Sequence, residues 1–343
     1  MKKLLNTLYV TTQGAYLRKD GETVVVEADG QEKLRLPIHT LGGIVCFGNV
    51  GCSPFLLGMC GERGVNAAFL TEHGRFLYRA QGGVSGNVLL RKEQYRRAQD
   101  KGEAVRIARN VLVGKIANMR TVLRRAARDR PECDEDGCID RAVTRMDRQA
   151  DGLEAVENLD ELRGVEGDTA KLYFSLFDRM ITSDKKSFFM LERSRRPPLD
   201  NLNALLSFIY TLLTHDAVGA CEGVGLDPQM GFLHAERPGR PSLALDLIEE
   251  FRSVIADRLA LSLINLKQIN GKGFKTTESG AVVMDDETRK TVLVAYQKRK
   301  QEEIMHPYLQ EKAAIGLLPH LQALLLARHL RGDIDAYPPF FWR

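Results

Sequence analysis

The chain has 343 residues, 44% of them hydrophobic and 27% charged, with a formal net charge of +4. Those proportions exclude a disordered chain, and the length favours two domains over one core. The basic excess permits a polyanionic partner without requiring one, so where the charge sits matters more than its sum.

The start, MKKLLNTLYVTTQG, has an apolar run too short and too interrupted for a signal peptide. No stretch is expected to approach a membrane span, and the expected location is the cytoplasm. Residues 1 to about 85 read as β. NTLYVTT and GAYLRKDGETVVVEA alternate β-branched and aromatic residues between Gly-Ala and Asp-Gly turn signals, and EKLRLPIHTLGGIVCFG continues the short strands. That spacing suits a small sandwich or barrel. SPFLLGMCGERG (53–64) is the helical interruption, with Ser53 as N-cap before Pro54. VNAAFLTEHGRFLYRAQGG returns to strands.

From about residue 88 apolar residues recur at helical spacing, and helix dominates to the C-terminus. The expected exceptions are an acidic loop at 131–139, a break at RSRRPPLDN and a hairpin at GFKTTESGAVVM. The expected architecture is therefore α+β with two domains: a sandwich-like β domain over 1–88 and a larger all-α domain over 89–343. Among the six cysteines, Cys133 and Cys138 lie close together in PECDEDGC, but no second Cys or His pair completes a zinc set nearby. A reduced, exposed loop is the expected state.

Basic residues crowd the first helices: Arg91, Lys92, Arg96, Arg97, Arg106, Arg109, Lys115, Arg120, Arg124, Arg125, Arg128 and Arg130. Arg193, Arg195 and Arg196 form a second cluster before Pro197. Guanidinium forks suit phosphate oxygens, although charge runs on helices are more often solvated faces.

Two stretches carry candidate chemistry. In LRGVEG, Glu166 lies between Gly164 and Gly167, before an expected helix; the glycines let a backbone or a substrate approach it closely, but taken alone it reads more readily as an N-terminal acid favoured by the helix dipole. In GFLHAERPGRPSLALDLIEEFR, His234 precedes a Pro/Gly loop and a helix follows. Stepping about 100° per residue puts Leu247, Ile248, Phe251, Val254 and Ile255 on one side and Asp246, Glu249, Glu250 and Ser253 on the other. Each element alone reads as ordinary: a surface helix and a core histidine. Together, one imidazole and several carboxylates form a mixed N/O set suited to Mn²⁺ or Mg²⁺, and such a cation serves phosphodiester chemistry.

Residues 162–167, RPPLDNLNALLSFIYTLL, GLDPQMGFLH, PSLALDLIEEFR and the late HPYLQEKAAIGLLPHLQALLLARHLRGDIDAYPPFFWR, taken in that order, resemble the CRISPR-associated integrase family, the late motifs most closely its I-C subtype. The resemblance implies metal binding by Glu166, His234 and Glu249, with Asp246 as a further active-site acid, Glu250 as a solvated bystander and Arg252 on substrate phosphate. It also implies a metal-dependent DNA endonuclease that joins a protospacer 3′-hydroxyl to the CRISPR repeat by transesterification. Further implied are a homodimer formed through the β domain and a small CRISPR-associated partner protein in adaptation. A general metal-dependent nuclease, or a non-catalytic DNA-binding adaptor, are the alternatives.

Overall fold

The computed structural model describes residues 4–80, 82–83, 88–190, 192–194 and 197–342. The strands are β1 (Asn6–Val10), β2 (Tyr16–Asp20), β3 (Thr23–Ala28), β4 (Gln31–Pro37), β5 (Leu41–Phe47), β6 (Gly51–Cys52), β7 (Asn66–Leu70) and β8 (Phe76–Ala80), with helix α1 (Pro54–Arg63) before β7. They pair into two four-stranded sheets, ordered β1-β5-β7-β8 and β4-β3-β2-β6. The β3–β4 hairpin turns on Asp29 and Gly30, whose φ values of 53° and 70° fit a type I′ turn. Ser53 caps α1 as expected, its hydroxyl accepting from the Leu56 N–H at 3.2 Å.

Hairpins do not account for everything in this region: β1, β5 and β7 run parallel. Parallel neighbours need a crossover, and α1 supplies it between β5 and β7. Alternation along these strands serves two cores. Ile44 and Cys46 of β5 and Ala67 and Phe69 of β7 join residues of the second sheet and α1 in one apolar cluster. Val45, Phe47, Ala68 and Leu70 face the opposite way, into the large core of the helical part. A sheet buried on both faces reads as a continuous apolar run, as GIVCF and AAFL do.

The remaining helices are α2 (Val88–Gln99), α3 (Lys101–Asp129), α4 (Cys138–Gly152), α5 (Leu159–Ser175), α6 (Asn201–Val224), α7 (Ser242–Glu249), α8 (Arg258–Asn265), α9 (Asp286–Gln301) and α10 (Leu318–Arg331). Between α7 and α8 the chain makes a π-helical turn over Arg252–Asp257. Asp100 separates α2 from α3 because its side chain accepts from the Glu103 N–H at 3.0 Å. The expected hairpin forms as β9 (Phe274–Thr276) and β10 (Val282–Met284), and a second, unexpected one pairs β11 (Glu303–Met305) with β12 (Lys312–Ala314). The C-terminal part is thus mainly helical, not all-α.

Three expectations need correction. Helix α6 spans 24 residues and is apolar enough to cross a membrane by length and composition, whereas no such stretch was expected. It packs against α7 and α10, and Leu205, Leu206 and Ile209 are buried in the core. The acidic segment at 131–139 is not a loop throughout, because Pro131–Asp134 forms a 3₁₀ turn that buries Cys133. Finally, α5 begins at Leu159, so Glu166 is mid-helical and not an N-terminal acid. Asn158 starts the helix, accepting from the Glu161 N–H at 2.9 Å, and this cap together with tertiary packing carries it through Gly164 and Gly167.

Candidate active site

Helix α7 is not a surface helix. Asp246, Glu249 and Glu250 are only 2%, 3% and 0% exposed. The apolar face expected at Leu247, Ile248 and Phe251 is buried too, so the helix is enclosed on both sides, and each acid has its own internal partners.

Asp246 is saturated. Its Oδ2 accepts the N–H groups of Phe232 and Leu233 at 2.6 and 3.0 Å. Its Oδ1 accepts the His234 N–H at 2.9 Å and meets His234 Nδ1 at 2.6 Å. An ionised carboxylate can only accept, so Nδ1 carries a proton, and in the neutral ring the lone pair is on Nε2. That nitrogen points towards Glu249, with 3.8 Å to Oε1. The loop reaches Asp246 this closely because position 231 is glycine: a Cβ there would lie 2.8 Å from Asp246 Oδ2.

Other helices fix the same loop. Buried Gln94 of α2 donates to the carbonyls of Asp227 and Met230, both at 2.8 Å, and accepts the Asp227 N–H at 2.9 Å. Arg163 of α5 donates to the Leu233 carbonyl at 2.7 Å. The N-terminus of α7 is closed by the Pro228 carbonyl, which takes the Leu243 N–H at 3.0 Å.

Glu249 lies among three cationic or potentially cationic groups. Lys115 Nζ is 2.7 Å from its Oε2, and Arg252 Nε is 2.9 Å from its Oε1. Burial pushes the Glu249 carboxyl up, but the charges of Arg252 and Lys115, with His234 behind them, outweigh it and hold the group below its ordinary value. Lys115 also pairs with Glu166 of α5, so one ammonium bridges the two glutamates. Lys115 is 3% exposed. In the sequence it is one basic residue among many on α3, and nothing local distinguishes it; only the fold reveals that it faces inward.

Glu250 is the clearest reversal, since it was expected to be solvated. It accepts from Tyr337 Oη at 2.6 Å, from the Phe340 N–H at 2.8 Å and from Gln322 Nε2 at 3.0 Å. Burial nevertheless pushes its carboxyl up to about 8. Asn118 of α3 donates to the carbonyls of Glu250 and Phe340 at 2.7 and 2.9 Å, tying the C-terminal segment to both helices.

The structure therefore brings Glu166, His234, Asp246, Glu249 and Arg252 into one contiguous network. Among the described residues, no three His, Cys, Asp or Glu side chains form a ready metal cage. The Lys115 ammonium stands between Glu166 and Glu249. Arg252 lies over the Tyr210 ring, its guanidinium carbon 4.7 Å from the centroid. Arg193 lies over the same ring at 5.3 Å and donates to the Ser194 carbonyl at 2.7 Å. Both arginines are thus engaged internally, and Arg195 and Arg196 lie outside the described residues. Much of the basic run on α2 and α3 is likewise paired: Arg96 and Arg97 with Glu93, Arg106 with Glu103, and Arg120 and Arg124 with Asp147.

Residues 8–298 match the model of a protein family described as CRISPR associated protein Cas1. Over its full 343 residues the chain is 57% identical to CRISPR-associated endonuclease Cas1 1 of Chlorobaculum tepidum, and covers 100% of that protein. Its fold is similar to a solved casposase bound to integration product (TM-score 0.84, 22% identity, 99% of this chain and 95% of that one). It is similar also to a Cas6-RT-Cas1–Cas2 complex (TM-score 0.83, 19% identity), covering 100% of this chain but 36% of that one.

Proposed function

The chain belongs to the Cas1 family of CRISPR-associated endonucleases, and from that premise we propose that it joins protospacer 3′-hydroxyl ends to the CRISPR repeat by transesterification. In this proposal Glu166, His234 and Glu249 hold a divalent cation, Mg²⁺ or Mn²⁺. The donor set fits: two carboxylates and one imidazole nitrogen suit a hard or borderline cation. The single observation that carries the proposal is the convergence of two carboxylates and one imidazole nitrogen on one buried cationic position. Lys115 pairs with both Glu166 and Glu249, meeting Glu249 Oε2 at 2.7 Å, and His234 Nε2 turns towards Glu249, 3.8 Å from its Oε1.

When bound, such a cation would supply Lewis-acid stabilisation of charge on the transferring phosphate. The protein's own groups do the rest. Asp246 holds the imidazole with Nδ1–H inward and has no lone pair left for a metal, so it is a positioning residue. Arg252 keeps Glu249 ionised and in place. Phosphate contacts are assigned to the 193–196 segment, where Arg195 and Arg196 follow Arg193, and to whatever part of Arg252 substrate can reach.

The proposal extends to the division of the chain at residue 88, with a sandwich-like N-terminal unit through which two copies associate. It includes a cytoplasmic location, double-stranded DNA and a small adaptation partner protein as ligands, and the I-C subtype, suggested by the late HPYLQ…PPFFWR motifs. The similar folds of a casposase bound to integration product and of a Cas6-RT-Cas1–Cas2 complex support this direction.

The test is a branched DNA that mimics a half-integrated spacer, incubated with Mn²⁺, with chelator, and with H234A. A resealed strand and a released flap that require both metal and His234 are expected. Cutting without rejoining would reduce the assignment to a nuclease. Activity that survives chelator and H234A together would overturn the metal site.

A further inference from the structure

We infer that Lys115 is a built-in occupant of the cation site, an ammonium that bridges Glu166 and Glu249 and must withdraw before a divalent ion can take its place. The inference rests on the assignment of Glu166, His234 and Glu249 as the cation's ligands. Its basis is geometric. Lys115 is 3% exposed and pairs with two carboxylates from two different helices, α5 and α7. Its Nζ–Oε2 distance to Glu249 is 2.7 Å, the ordinary separation for an ammonium and a carboxylate. A small dication would draw the same oxygens to about 2.0–2.2 Å, so it cannot share that space with the ammonium.

This explains why the donors do not already form a cage. Glu249 and His234 approach each other to 3.8 Å, while Lys115 pairs with both Glu166 and Glu249. It also explains why a lysine is buried at all. Without cation or ammonium, buried Glu249 and half-buried Glu166 would be left with Arg252 as the remaining strong counter-charge, and an under-compensated carboxylate is unfavourable where it is buried. A lysine suits the role better than an arginine, being a compact point charge on a flexible four-carbon stem that can move aside. Once withdrawn, the ammonium would remain close enough to oppose the dication, so Lys115 weakens metal binding both by occupancy and by charge.

The experiment measures Mn²⁺ binding to the full chain by electron paramagnetic resonance titration, with melting curves in chelator and in Mn²⁺. Removing the ammonium in K115M is expected to tighten Mn²⁺ binding by about tenfold or more, because a positive charge a few ångströms from the dication repels it by at least that much. The same variant should melt lower than wild type in chelator and gain more from Mn²⁺. K115R, which keeps the charge, should bind no more tightly than wild type. If K115M does not fold in chelator, K115Q and folding in the presence of Mn²⁺ provide the same comparison. Affinity unchanged or weaker in both neutral variants, with wild type still binding one ion through His234, would overturn the occupant role and leave the metal site standing. Failure of both wild type and K115M to bind Mn²⁺ would remove the metal site itself, and the inference with it.

Discussion

His234 Nδ1 lies 2.6 Å from Asp246 Oδ1, on a carboxylate already holding three backbone N–H groups, and this contact turns the imidazole's free nitrogen towards Glu249. Replacing Asp246 with asparagine keeps the shape but sets an amide N–H₂ against donors. Expected is about a 10–100-fold loss of metal affinity and of strand transfer, the usual cost of removing a group that orients a ligand. The ¹⁵N shifts of His234 should show the other tautomer; shifts identical to wild type would mean that another group sets it.

Gly231 makes this contact possible. In G231A the new Cβ would lie 2.8 Å from Asp246 Oδ2 and 2.8 Å from the Ser242 carbonyl carbon, both too close. The loop must shift, at a cost of about 1–3 kcal/mol, as for other overpacked sites. Strand transfer should fall by more than that stability loss explains. Urea midpoints and initial rates, measured together, separate the two effects.

Glu250 imposes a pH dependence on stability. Its folded carboxyl is pushed up to about 8 from an ordinary value of 4.5, so the folded state keeps a proton that the unfolded state has lost. Stability should therefore fall as pH rises from about 4.5 to 8, by at most about 1.4 kcal/mol per pH unit, and then level off. E250Q should flatten that slope. Denaturant midpoints from pH 5 to 9 in chelator test it, and an equal slope in both proteins would assign it to other groups.

Y337F removes one of the three donors to the same carboxyl. A destabilisation of about 1–3 kcal/mol is expected, the cost of leaving a buried acceptor short of a partner. Thermal melts of Y337F and E250Q/Y337F should be non-additive because the two side chains touch. Additive losses would show that the contact carries no energy of its own.

D100A tests the junction between α2 and α3. Loss of its cap to the Glu103 N–H should cost about 0.5–2 kcal/mol. Metal affinity should be unchanged, because Asp100 makes no contact with the site residues. Altered affinity would show that the start of α3 positions Lys115.

Ser53 before Pro54, the Asp20-Gly21 turn, the hairpin at Phe274–Met284 and the onset of helix near residue 88 were all legible in the sequence, because each depends on neighbours a few residues away. The start of α5 was not, since Gly164 and Gly167 argued locally against a helix that Asn158 and packing sustain. The burial of Glu250 was equally invisible: Tyr337, its partner, is 87 residues downstream.

By itself the sequence determined the strand-then-helix order, the apolar side of α7 and, through the resemblance of its motifs, the residues brought together around Glu249. Only the tertiary structure decided that the acidic side of α7 faces inward, that Asp246 has no lone pair to spare and that Lys115 stands between two glutamates. Periodicity reports which residues share a face. Whether that face meets water or buried donors depends on chain segments far away in sequence, and the cost of burying a charge is met only where those segments deliver its partners.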